Sequence, residues 1–121
     1  MNPWKFLLGG LLSATFAIQP AVAGPAGKVI EIVTFKLKAG VAAAEFAPID
    51  KAVEREHVAR QPGFVSRESA HGEDGEWLVI VHWRSMKDAE ASMATFEKAP
   101  AAAQFMSKID ASTMRMKRYA R

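Results

Sequence analysis

GEDGEWLVIVHW, residues 72–83, decides the fold. Gly72, Asp74 and Gly75 suit a turn of hairpin length, because glycine and aspartate tolerate the positive φ such turns require. The eight residues from Glu76 to Trp83 are dominated by branched and aromatic side chains and read as a strand. FVSRESAH, residues 64–71, lies on the other side of the turn and reads as its hairpin partner. Side chains alternate along a strand, so Trp77, Val79, Val81 and Trp83 share one face while Leu78, Ile80 and His82 share the other. A sheet with one wet side alternates apolar with polar residues, and this strand does not.

Working outward, VIEIVTFKLK (29–38) repeats the pattern, with Val29, Val33, Phe35 and Leu37 on one side and Ile30, Ile32 and Thr34 on the other. Ala39-Gly40 ends that strand. Residues 41–61 read as helix, interrupted at Pro48, which lacks an amide proton and crowds the preceding turn. Either a short first turn precedes a main helix starting near Pro48, or one helix is kinked there. Pro62-Gly63 stops it. Ser85 to Asp88 resembles a capping box, a hydroxyl followed three residues later by a carboxylate. The helix it opens runs to about Lys98, with Ala89, Met93 and Phe96 on one face. Pro100 opens a further short helix, and STMRMKRYA (112–120) reads as a last strand in which Met114 and Met116 alternate with polar partners.

The order strand, helix, strand, strand, helix, strand predicts an α+β domain with the ferredoxin-like βαββαβ topology, a four-stranded antiparallel sheet with helices on one face. Helices on one side leave the other side of a two-faced sheet in water. Each large apolar side chain there is worth about 1.5–3 kcal/mol if buried. A second copy packed sheet against sheet, a two-fold homodimer, is therefore expected.

The beginning of the chain has a separate logic. MNPWK carries one cation, FLLGGLLSATFAI is an apolar run, and QPAVA ends in the small-x-small pattern at Ala21, Val22 and Ala23. Residues 1–23 therefore read as a signal peptide, and the apolar run is short for a bilayer core of about 30 Å. Export to the periplasm or medium, with no stable membrane span after cleavage, is expected for a domain over 24–121. Removing Lys5 from 16 basic residues leaves 15 against 13 acidic ones, so the charge is nearly balanced. MRMKRYAR at the end is basic but lacks interleaved aromatics for base stacking, and a nucleic-acid partner is not implied. The absence of cysteine excludes a thiol nucleophile, a redox pair and a cysteine metal site.

VIEIVTFKLKAG, the QPGF that closes the first helix, and GEDGEWLVIVHWRS with its Trp83-Arg84-Ser85 ending together resemble the dimeric α+β barrel superfamily, and within it the antibiotic biosynthesis monooxygenase (ABM) domain. The resemblance spans nearly all of residues 24–121. It implies a dimer formed through the sheets and a small aromatic ligand held between sheet and helices. It also implies one of two chemistries. In cofactor-free oxygenation, an electron-rich substrate reduces O₂ once deprotonated, so the protein supplies a base, a hydrogen-bond donor and a dry pocket. Haem degradation needs an axial histidine after the second helix, and AAAQFMSK has none, so no haem and no other cofactor is expected. Met93 and Phe96 stand where both branches tend to place a tryptophan. A non-catalytic binder using the same cavity, or a purely structural dimer, is the alternative.

Seven residues are candidates for the site. Phe46, Ile49 and Val53 define the apolar face of the first helix, and at about 100° per residue His57 falls about 40° from its centre. It is either a cavity acid, base or donor, or a half-buried residue favoured by the helix C-terminus. His82 joins it in one cavity if Leu78 and Ile80 face the helices, and belongs to the dimer interface if they do not; the shared cavity is the favoured expectation. Trp77 and Trp83 are core or interface aromatics that could also stack on a planar ligand. Met93 and Phe96 would line the pocket. Arg67, mid-strand, needs a carboxylate if it points inward, and Glu68 faces the other way. The three histidines lack metal-ligand spacing, so no metal site is expected.

Overall fold

The structure is a computed structural model that describes residues 27–121. The signal reading of residues 1–23 lies outside them. The elements run β1 (Val29–Leu37), α1 (Ala43–Glu56), a 3₁₀ turn (Val58–Arg60), β2 (Phe64–His71), β3 (Glu76–Trp83), α2 (Met86–Phe96), α3 (Pro100–Ser107) and β4 (Ile109–Ala120). The four strands form one antiparallel sheet in the order β2-β3-β1-β4. This is the expected α+β, ferredoxin-like sheet, with the second helical segment divided into α2 and α3. Among the described residues no helix is long and apolar enough to cross a membrane.

The helices take the face of Val29, Phe35, Leu37, Trp77, Val79 and Trp83, all buried in one core with Phe46, Val53, Ala89 and Phe105 from the helices. Phe46 is its centre, fully enclosed, with ring centroids of Trp77, Phe105 and Phe35 at 4.9, 5.2 and 5.8 Å. Such edge-on and tilted pairs add to the burial of the rings themselves. Ile30, Ile32, Leu78 and Ile80 remain half-exposed on the opposite face.

Turn chemistry sets the frame. Asp74 and Gly75 both have positive φ, 56° and 77°, as the tight hairpin demands. Gly63 has φ 81°, and a Cβ there would collide with the Asp88 carboxyl group. QPGF therefore brings β2 in against the start of α2, where the Ser85 hydroxyl accepts the Asp88 amide at 3.0 Å and donates to Asp88 Oδ2 at 2.9 Å. Pro48 does not divide the first helix: α1 is continuous across it, with Phe46, Asp50 and Val53 buried on its inner side. That inner face holds the helix through one missing hydrogen bond. The helix also ends earlier than the periodicity predicts, at Glu56, and residues 58–60 tighten into a 3₁₀ turn. β4 begins at Ile109, three residues before its expected start, and its pairing with β1 slips between Thr34 and Lys36. The Thr113 hydroxyl closes that gap by accepting the Lys36 amide at 2.8 Å.

Candidate functional site

Between the helices and the sheet lies a cavity of about 420 Å³. Val33, Phe35, Val79, Val81 and Trp83 form its floor on β1 and β3, and Met93, Phe96, Phe105 and Met106 come from α2 and α3. Three charged side chains join this apolar wall: Glu31, Arg67 and Glu97. Its size and its few convergent polar groups are those of a small-molecule site.

Arg67 points inward from β2 and finds its carboxylate on α1. Its Nη2 donates to Asp50 Oδ1 at 2.7 Å and its Nη1 to Asp50 Oδ2 at 3.1 Å, while Ser69 Oγ donates to the same Oδ2 at 2.6 Å. Glu54 stands 3.5 Å from Nη1. Both Arg67 and Asp50 side chains are under 5% exposed, at 3% and 4%. A two-pronged pair of this kind fixes the guanidinium plane as well as its charge.

Glu31 is the second buried carboxylate. Its Oε2 accepts from Arg118 Nε at 2.7 Å, and its Oε1 accepts from Trp83 Nε1 at 3.4 Å. Neither Glu31 nor Asp50 was among the residues expected from sequence. Each nevertheless carries a sequence signal. Glu31 is in phase with Val29, Val33 and Phe35 on the inward face of β1, and Asp50 lies between Phe46 and Val53 on the inner face of α1. A carboxylate in phase with core residues requires a buried cation or donor.

Of the seven expected residues, Arg67, Trp83, Met93 and Phe96 meet at the cavity wall. Trp77 does not; it packs on Phe46 and stacks against His71 at 5.8 Å. His82 does not share the cavity. The face of Trp77, Val79, Val81 and Trp83 takes the helices, which puts His82 on the opposite side, paired with Ile30 and Ser66. His57 is buried beside the cavity and is not part of its wall. It is not a helical residue but the cap after α1, with φ −133° and ψ −66°, so the helical-face argument does not apply to it. Its ring stands edge-on to Phe96 at 5.8 Å, and Nε2 is 3.0 Å from Thr95 Oγ1. Thr95 gives its proton to the Ser92 carbonyl at 3.2 Å, so it accepts from Nε2–H, and Nδ1 is left buried without a partner.

Burial pushes the His57 pKa below its ordinary 6.5. The unfolded chain therefore takes up this proton more readily than the folded one. The contribution to stability is fully present above the unfolded value and is lost as pH falls through the folded value. We expect the melting temperature to drop between about pH 7 and pH 5 more steeply in the wild type than in His57→Gln, which cannot titrate there. Parallel curves for the two proteins would mean that His57 is not the group responsible.

No family model and no curated protein matches the sequence. Solved structures do match. SnoaB, a cofactor-independent oxygenase from Streptomyces nogalater, superposes with a TM-score of 0.63 at 22% identity, covering 77% of this chain and 91% of that one. Proteins classed with the antibiotic biosynthesis monooxygenases from Bordetella bronchiseptica and Caulobacter crescentus give TM-scores of 0.65 and 0.63 at 12% and 17% identity. They cover 78% and 79% of this chain and 97% and 91% of their own. The chain has the fold of the ABM domains.

Proposed function

We propose that the cavity binds a small, largely apolar aromatic molecule. The observation that carries this reading is the space itself, about 420 Å³ and partly open to solvent, with rings and methionines around it and one buried carboxylate, Glu31, in its wall. Methionine side chains adapt their shape and contact ring edges favourably, which suits a planar guest. Cofactor-free oxygenation is the reaction favoured by the likeness to SnoaB. In it the deprotonated ring supplies its own electrons to O₂, and Glu31, the buried carboxylate of the wall, is assigned as the group that takes the proton. The test is an oxygen electrode with anthrone as substrate. Uptake above the buffer rate, slowed in Glu31→Gln, supports turnover; binding of anthrone with uptake no faster than buffer leaves a binder and removes the oxygenase.

The reading includes a second copy of the chain on the open sheet face. Ile30, Ile32, Leu78, Ile80 and His82 are half-exposed there, and among the described residues the helices lie on the other side. In light scattering the particle is expected at twice the mass of one chain at all working concentrations. A monomeric mass at high concentration would remove the dimer.

A further inference from the structure

We infer that the cavity selects a cationic aromatic, an arylalkylammonium ion, over the carboxylate of the same shape. This rests on the aromatic-site reading and adds the charge of the guest to it. Two guanidinium groups bear on the cavity: Arg67, which is in its wall and committed, and Arg118, which is outside it. Arg67 is spanned by the two oxygens of Asp50, with Glu54 beside it. Arg118 gives Nε to Glu31 and is not part of the wall, although its buried Nη2 has no partner.

The uncommitted capacity in the wall is on the acceptor side. Glu31 is 5% exposed, and its Oε1 receives only the 3.4 Å contact from the Trp83 indole. At that length the bond is weak, and a lone pair remains for a better donor. Glu97 caps the C-terminus of α2, where the negative end of the helix dipole adds to its own charge. The rings of Trp83 and Phe96 attract a nearby cation through their quadrupoles. In the wall itself an incoming carboxylate therefore meets two carboxylates and no unpaired cation, whereas an ammonium group meets an acceptor and a favourable field. Like charges brought together in this way weaken binding, and that penalty is what discriminates against the carboxylate.

The experiment is calorimetric titration of the protein with 2-naphthylmethylammonium, 2-naphthylmethanol and 2-naphthoate. The ammonium is expected to bind about tenfold more tightly than the carboxylate, and any preference above about threefold supports the inference. A smaller or reversed preference, with the alcohol still bound, overturns the charge selection and leaves the aromatic site standing. Failure of all three to bind overturns both. Glu31→Gln is expected to narrow the ratio most. Should that variant not fold, Glu97→Gln, at an exposed position, is expected to narrow it by about threefold. A ratio unmoved in every folded variant overturns the assignment to these two groups.

Discussion

Phe46→Ala is expected to cost about 3–5 kcal/mol of folding stability, read from the shift of the urea midpoint at constant slope. Phe46 is fully enclosed and touches the rings of Phe35, Trp77 and Phe105, which come from β1, β3 and α3. Its loss removes one ring from water-free packing and leaves a void beside an existing cavity. Neighbours on three different elements cannot all close in, so the cost should lie at the upper end of what a deleted ring produces. A loss under about 1 kcal/mol would show that the core closes around the gap, and that the helices are not fixed by this ring cluster.

Asp50→Ala should be nearly as damaging, about 3–5 kcal/mol, for a different reason. Arg67 would keep its charge at a side chain only 3% exposed, with Glu54 at 3.5 Å as its remaining anion. The double variant Asp50→Leu with Arg67→Met removes both charges and should recover most of the loss, since a buried ion pair replaced by packed apolar groups is often close to neutral. If the double variant is no more stable than Asp50→Ala, the penalty comes from lost packing of α1 and not from a stranded guanidinium.

Much of this frame is legible in the amino acids. The hairpin at Asp74-Gly75, the stop at Pro62-Gly63 and the cap at Ser85 are local chemistry, and each acts where the sequence puts it. Of the two readings of Pro48, a single helix running through it is the one found, because a proline's local cost is weighed against the burial of a whole helix face. His57 is buried, as its phase with the apolar stripe suggests, but as the cap after α1, against Thr95 and Phe96 of α2.

The site is less legible than the fold. β3 is apolar on both faces, so alternation alone gives no sign of which face meets the helices, and His82 follows the face that does not. Arg67 announces a need for a partner, but the partner is 17 residues away on another element. Asp50 and Glu31 carry the complementary signal, acids in phase with core residues. Matching the unsatisfied cations of one element with the misplaced anions of the next finds both pairs.

The central claim is that an aromatic guest enters between the helices and the sheet. Trp83 lines that space and Trp77 does not, although both indoles are buried. Titrating ¹⁵N-labelled protein with 2-naphthol should therefore move the Trp83 Nε1–H resonance, which also bonds to Glu31, while the Trp77 resonance stays in place. A guest that leaves Trp83 unmoved up to its solubility limit, or that moves Trp77 alone, contradicts the account.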